Sequence, residues 1–292
     1  MGGGAPAVGP NGDLWVETGP GTEYSAKRPY DYSDAVLEVS PSLRVVQFFA
    51  PASWAVDDSN DLDMSTEPVL LPDGQVILAG KSRIVYLLNG RHLGGIGKQQ
   101  AKLGPVCGND IDGGSARVGM TVYLPCITGT IAVRATRSRP ALHLEWSSGT
   151  GGGPPIVAGG LVWTIGQNGK LYGLSPARGK IRQEASIGVP ANHFPTPGIG
   201  AGLLLATSAR RVIAFRISAA GASQGAGATA SVARDSRHDA SPGPGAGGSI
   251  VTDVVVACLI AAAAFGWFIW LVRRQRRARG GALASTRNVT TR

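Results

Sequence analysis

An all-β fold, built from short four-stranded units repeated along the chain, is predicted for the first three quarters of this sequence by three observations. The chain carries 43 Gly and 19 Pro among 292 residues with only 16% charged, a composition in which Gly and Pro punctuate short elements instead of long helices. A turn, strand, turn, strand pattern recurs five times before residue 218. Within the clearest copy, apolar and small residues alternate through GLVWTIG and KLYGL with Asn168-Gly169 between them, which reads as a hairpin closed by a two-residue type I′ turn.

The copies run GPNGDLWVETG at 9–19, LPDGQVILAGKSRIVYLLN at 71–89, ARVGMTVYLPCITGTIAVRA at 116–135, VAGGLVWTIGQNGKLYGLSPARGK at 157–180 and GIGAGLLLATSARRVIAFRI at 198–217. Taking Gly74, Gly119, Gly160 and Gly202 as equivalent turn residues gives spacings of 45, 41 and 42, whereas Gly12 to Gly74 spans 62 and must carry an insertion. Units of about 40 to 50 residues with four short strands are β-propeller blades. Residues 1–218 are therefore expected to form about five of them, a partial propeller.

The rest of the chain changes character. Residues 219–249 hold almost no large apolar side chain and read as a flexible Gly/Ala/Ser/Pro-rich tether. Residues 250–272 follow, free of charge from Val254 onward, long enough at about 1.5 Å per residue to cross a hydrocarbon core. Trp267 and Trp270 near its end suit the headgroup level, and Arg273, Arg274, Arg276, Arg277 and Arg279 come directly after. The positive-inside bias places the basic tail 273–292 in the cytoplasm and the blades outside it, on a single-pass cell-membrane protein. Those five arginines, with Arg287 and Arg292, supply seven of the net +9 charges and leave only +2 for everything before them. A body so near neutrality has no footprint for a phosphate backbone, so nucleic acid is excluded as a partner. Cys258, inside the apolar run, reads as a small apolar residue.

The string PPIVAGGLVWTIGQNGKLYGLSPARGKI at 154–181 resembles the repeat of quinoprotein alcohol dehydrogenase-like (PQQ-binding-like) propellers, and the resemblance extends over about 9–217. Propellers of that kind usually have seven or eight blades, so the resemblance implies further blades upstream of Met1, where an external domain anchored at its C-terminus would also need a signal peptide; the alternative is a complete, tail-anchored chain with a cytosolic domain or a smaller open β-sheet. It implies two kinds of activity. Many relatives bind no quinone and act as scaffolds, whereas the dehydrogenases hold pyrroloquinoline quinone (PQQ) with calcium.

The dehydrogenases place a metal ligand in a Thr-Gly-Asn turn and a catalytic aspartate in a Trp/Asp-rich segment. The matching residues here are Glu17-Thr18-Gly19-Pro20-Gly21, then the stretch from Tyr30 to Leu37, then the stretch from Pro51 to Asp63, with Asp61 as the candidate for the aspartate. Pro20 stands where the asparagine would be and offers no side-chain oxygen to a hard cation, and no adjacent cysteine pair exists among Cys107, Cys126 and Cys258. A cation held by Asp57, Asp58, Asp61 and Asp63 is one reading of that stretch; a solvated acidic loop is the other. Cys107 and Cys126, each beside a predicted strand, would staple one blade in an oxidising compartment, or stand as two buried thiols. Gly94-Gly95-Ile96-Gly97-Lys98 lacks the spacing of a phosphate loop and is expected to be a plain loop. His92, His143, His193 and His238 share no ligand spacing.

The sequence thus favours a non-catalytic, membrane-anchored, extracytoplasmic binding or scaffold propeller that uses no cofactor and holds a protein, peptide or glycan. The alternative is a PQQ-dependent dehydrogenase or a degenerate relative of one. A signalling receptor would need a partner, since the tail after the helix contains no domain.

Overall fold

Each repeat glycine sits where the chain first reverses within a sheet. In the computed structural model, which describes residues 4–21, 30–189 and 194–216 together with the backbone of 230–231, five sheets follow one another along the chain. Blade 1 contains β1 (Ala7–Val8), β2 (Leu14–Glu17), β3 (Val36–Val39) and β4 (Val45–Ala50), and is followed by the short helix α1 (Trp54–Ser59). Blade 2 contains β5 (Val69–Leu70), β6 (Gln75–Ala79) and β7 (Val85–Asn89); after the detached strand β8 (Gly95–Ile96) it ends with β9 (Ala101–Leu103). Blade 3 is β10 (Ala116–Val118), β11 (Thr121–Cys126), β12 (Gly129–Thr136) and β13 (Ala141–Ser148). Blade 4 is β14 (Ile156–Ala158), β15 (Leu161–Gly166), β16 (Lys170–Leu174) and β17 (Ile181–Ser186). Blade 5 is β18 (Gly198–Gly200), β19 (Leu203–Ser208), β20 (Arg211–Arg216) and β21 (Ala230–Ser231). Gly12, Gly74, Gly119, Gly160 and Gly202 all have φ between +59° and +86°, a region that residues with a Cβ rarely enter, which is why the repeat preserves glycine there.

The strands of blades 2, 3 and 4 are apolar on both faces because each of these sheets is sandwiched between its neighbours. Along β6, Val76 and Leu78 pack with Trp15, Val36 and Phe49 of blade 1, while Ile77 and Ala79 pack with Val122, Leu124 and Ile131 of blade 3. The same alternation sends Tyr123 of β11 against Val162 and Tyr172 of blade 4, and Trp163 and Ile165 of β15 against Leu204 and Phe215 of blade 5. Period-two geometry places successive side chains in different interfaces, so a strand buried on both sides reads as a continuous apolar run.

Several expectations change in detail. The 62-residue spacing resolves into two additions to blade 1: the β2–β3 connection, and the segment 51–68 that carries α1. There Trp54 of α1 and Tyr30 cover Val16, Leu37, Phe48 and Ala50, on the face of blade 1 turned away from blade 2. The glycine-rich segment read as a plain loop supplies β8, which pairs parallel with β4 (Phe49↔Gly95, Ala50↔Ile96) and makes blade 1 five-stranded. Two residues of strand contribute backbone hydrogen bonds only and leave no side-chain pattern to read. The same holds for β21, which takes Ala230 and Ser231 from the segment read as tether and pairs them with Phe215 and Ala214.

The hairpin of blade 4 is also not type I′. Gly166 pairs with Lys170, giving a three-residue loop in which Gly169 has φ +72° and Asn168 is not at positive φ. This is a type I turn followed by a left-handed residue, the usual three-residue solution. A Cβ on Gly169 would lie 1.4 Å from the Gly188 carbonyl oxygen, so glycine is required on two counts.

Cys107 and Cys126 are disulfide-bonded with their Cα atoms 5.7 Å apart. The bond does not staple one blade. Cys107 lies in the connector between β9 and β10, and the bond ties that connector to the end of β11, beside the Ile111↔Cys126 bridge. No helix among the described residues is long and apolar enough to cross a membrane. The predicted span 250–272 and tail 273–292, with Trp267, Trp270, Arg273, Arg274, Arg276 and Arg277, lie outside the described residues.

Candidate functional site

The first strands of the blades are short, two or three residues each, and those of blades 1, 2 and 3 converge. Between them lies a cavity of ≈ 340 Å³ lined by Ala7 and Val8 of β1, Glu67 and Pro68 before β5, and Ser115 and Arg117 around β10. β10 in turn approaches β14 of blade 4, so the first strands form the inner row of the sheets. Glu67 fixes the geometry. Its Oε1 accepts hydrogen bonds from the Ser115 backbone N–H at 3.0 Å and from the Ser115 hydroxyl at 3.3 Å, linking the start of blade 2 to that of blade 3. Burial pushes the nearby Glu17 carboxyl above the usual range; a hydrogen bond from its own backbone opposes the rise and the Glu67 charge adds to it. The Arg117 guanidinium donates to the Gly119 carbonyl at 3.2 Å. The cavity thus offers a carboxylate, a guanidinium, a hydroxyl and backbone groups, a set suited to holding a ligand.

The acidic residues singled out from the sequence lie elsewhere, on and after α1. Asp57 accepts the Ser53 hydroxyl at 2.7 Å, and Asp58 accepts the Gly21 backbone N–H at 2.6 Å. Lys81 bridges Asp61 at 3.0 Å and Asp63 at 2.9 Å. Asp61 is 76% exposed and Asp63 is buried. The hydrogen bond and charge of Lys81 hold the Asp61 carboxyl below the usual range. Burial pulls the Lys81 ammonium down, but the hydrogen bonds and charges of Asp63 and Asp61 outweigh it and raise it. The four acids do not form the cation site that one reading of the sequence gave. Among the described residues no group of three acidic, histidine or cysteine side chains is arranged to hold a metal ion. Asp57 and Asp58 are neighbours on a helix, about 100° apart around its axis, and each answers a different donor.

What the sequence did not single out is Asp34. It is fully buried, with φ +46°, its N–H bonded to the Gly19 carbonyl, and neither carboxylate oxygen has a hydrogen-bond partner. Burial, then the charges of Asp58, Asp63, Asp57 and Asp61, push its carboxyl up to about 7. Asp58 Oδ2, Asp63 Oδ1 and Ser33 Oγ are likewise buried without a partner. Beside them Tyr30 packs against Tyr32, Phe48 and Trp54 with ring centroids 4.9–5.7 Å apart. No local signal marks Asp34, whose burial follows from the way segments 18–21 and 51–68 close over it.

The residues present do not fit PQQ with calcium. The Gly19–Gly21 turn closes on the acids, a Cβ at Gly21 falling 2.3 Å from Asp31 Oδ2, and Pro20 contributes no ligand oxygen. Asp61, the match to the catalytic aspartate, is a surface group bonded to Lys81. Of the histidines, His92 is an exposed loop residue and His143 an exposed residue of β13; His193 and His238 lie outside the described residues.

No protein-family model matches the chain, and no curated protein matches it. Among solved structures, BamB from Moraxella catarrhalis is similar with a TM-score of 0.53 at 11% identity, covering 73% of this chain and 60% of that one. The β-propeller domain of Cps50 (Swd1) from Myceliophteria thermophila gives a TM-score of 0.48 at 10% identity, covering 68% and 64%. The chain spans less than two thirds of either protein, and likeness at this identity concerns the fold. Together with the five sheets, the likeness to BamB establishes the fold as an all-β arrangement of propeller blades.

Proposed function

We propose that this chain is a membrane-anchored, extracytoplasmic β-propeller of the quinoprotein-like type that acts as a non-catalytic binding or scaffold module. The observation that carries the reading is the cavity where β1, β5 and β10 converge: Glu67 just before β5, Ser115 just before β10 and Arg117 on β10 face one depression beside β1. Two further observations support it. The Asp61 carboxylate is engaged by Lys81 at the surface instead of facing a cofactor site, and the Cys107–Cys126 disulfide suits an oxidising compartment. The anchor is residues 250–272, with the arginine-rich tail inside.

The test has two arms. Protease treatment of intact cells should remove the blades and spare the tail, and purified full-length protein given PQQ and calcium should show no dye-linked alcohol oxidation. Protection of the blades would overturn the topology. Quinone-dependent dye reduction would overturn the non-catalytic reading.

A further inference from the structure

The turns of the blades fall into two sets at opposite ends of the sheets. At one end the first strand of a blade turns into its second and the third leads toward its fourth; at the other the second turns into the third and each blade passes to the next. At the first end, the third strands of blades 1 to 4 lead into turns that carry Arg44, Arg91, Arg137 with Arg139, and Arg178 with Lys180. All six side chains are exposed, and among the described residues no acidic side chain pairs with them. The acids at this end do not offset them at the surface, since Asp13 and Glu38 are buried and Asp73 is half-buried. Exposed Asp61 and the other carboxylates around α1 lie at the opposite end.

Large apolar side chains stand at the same end as these cations. Leu43, next to Arg44 in its turn, is 76% exposed, and Val8, Val118 and Ile199, on the first strands of blades 1, 3 and 5, are 65%, 48% and 55% exposed. Leu43 also has φ +59°, a left-handed conformation that a bulky residue rarely takes, so neither burial nor turn chemistry accounts for leucine there. Exposed aliphatic groups beside unpaired cations fit a bilayer with an anionic surface: the charges meet headgroup phosphates while the aliphatic tips enter the acyl boundary. A soluble polyanion would use the cations and leave the tips in water. The opposite end also exposes apolar groups, Val56 at 61% among them, but the Asp61 carboxylate there is repelled by an anionic surface.

We propose that this arginine-bearing end of the blades docks on an anionic lipid surface. The small net charge of the chain before residue 273 conceals the segregation, because cations gathered in the turns at one end are offset by carboxylates at the other. The proposed anchor at 250–272 makes a bilayer the surface at hand, and the inference rests on that reading for its setting alone. Docking turns Arg44, Arg91, Arg137 and Arg178 toward the headgroups and leaves α1, at the opposite end of the sheets, facing away from them.

The test mixes the full chain with vesicles of phosphatidylcholine, alone or with phosphatidylglycerol, and reads an environment-sensitive fluorescent amino acid at position 43 or, as a control, at exposed position 167 of the opposite end. A blue shift at position 43 with the anionic vesicles only, and none at position 167, is the expected result. Arg44→Ala should weaken the apparent affinity about fivefold, and Arg44→Ala/Arg91→Ala/Arg137→Ala/Arg178→Ala should abolish the shift, as should about 1 M salt, which cuts screening to about 3 Å. Arg210→Ala/Arg211→Ala, in the turn between β19 and β20 at the opposite end, should leave it unchanged; all of these variants alter exposed side chains and retain the fold. No shift, an equal shift with phosphatidylcholine alone, or equal weakening by the Arg210/Arg211 variant would each overturn the proposal. So would binding of soluble polyphosphate through the same arginines without a shift on vesicles, which assigns the face to a soluble polyanion. Flotation with vesicles that survives high salt reads the anchor by itself, so failure of docking is distinguishable from failure of the proposed function.

Discussion

Replacing Asp34 by Asn should stabilise the protein at alkaline pH and leave it nearly unchanged in acid. Asp34 is fully buried with both oxygens unpartnered, and its carboxyl is pushed from 3.8 up to about 7 by burial and by Asp58, Asp63, Asp57 and Asp61. The native state therefore binds this proton more tightly than the unfolded chain does. The resulting stability is fully present below pH 3.8, declines as pH rises, and is lost above about 7. A rise of about three units at 1.36 kcal/mol each makes the ionised form cost about 4 kcal/mol at pH 8. Asparagine keeps the shape of the protonated acid and cannot ionise, so Asp34→Asn should gain up to about 4 kcal/mol there, on the order of 10 °C in Tm for a domain of this size. Urea denaturation followed by circular dichroism at pH 5 and pH 8, on wild type and variant, measures both quantities. Loss of stability in the variant at pH 8 would refute the reasoning. So would a calcium-dependent rise in wild-type stability that the variant abolishes, since the acids would then hold an ion instead of a proton.

Other consequences follow from single contacts. Replacing Cys107 and Cys126 by Ser should cost about 3 kcal/mol by loop-closure entropy, read as a lower urea midpoint that reductant reproduces in the wild type alone. Lys81→Ala leaves buried Asp63 without its cation and should cost about 2 kcal/mol, discounted for the partial exposure of Lys81; Lys81→Arg should recover most of it. Gly169→Ala meets both a positive φ and the Gly188 carbonyl, and should lose at least about 2 kcal/mol in thermal unfolding.

The parts of the fold that were legible in the sequence are those in which backbone conformation dictates residue type. Gly12, Gly74, Gly119, Gly160 and Gly202 had to be glycine, and they set the blade period before any sheet was drawn. The apolar strings were legible for a related reason: Val76 and Leu78 serve one interface while Ile77 and Ala79 serve the next. β8 and β21 left no mark, because a two-residue strand needs only its N–H and C=O groups. The disulfide pair was legible as a pair but not in its role, since the path of the connector that carries Cys107 is a tertiary fact. The acidic stretch was read as one cluster; the helix splits it, giving Asp57 to Ser53, Asp58 to Gly21, and Asp61 and Asp63 to Lys81. Asp34 was missed for the same reason, being made significant by Asp57, Asp58, Asp61 and Asp63, all more than twenty positions away.

The most direct test of the account places a photo-crosslinking amino acid at position 117, beside Glu67 in the cavity of the first strands, and another at exposed Arg182 on β17, in full-length protein on intact cells. The account predicts a discrete adduct from position 117, formed by a reagent-accessible domain outside the membrane and lost when Glu67→Ala is added, with none from position 182. Equal, indiscriminate labelling from both positions, or blades that no impermeant reagent can reach, would contradict it.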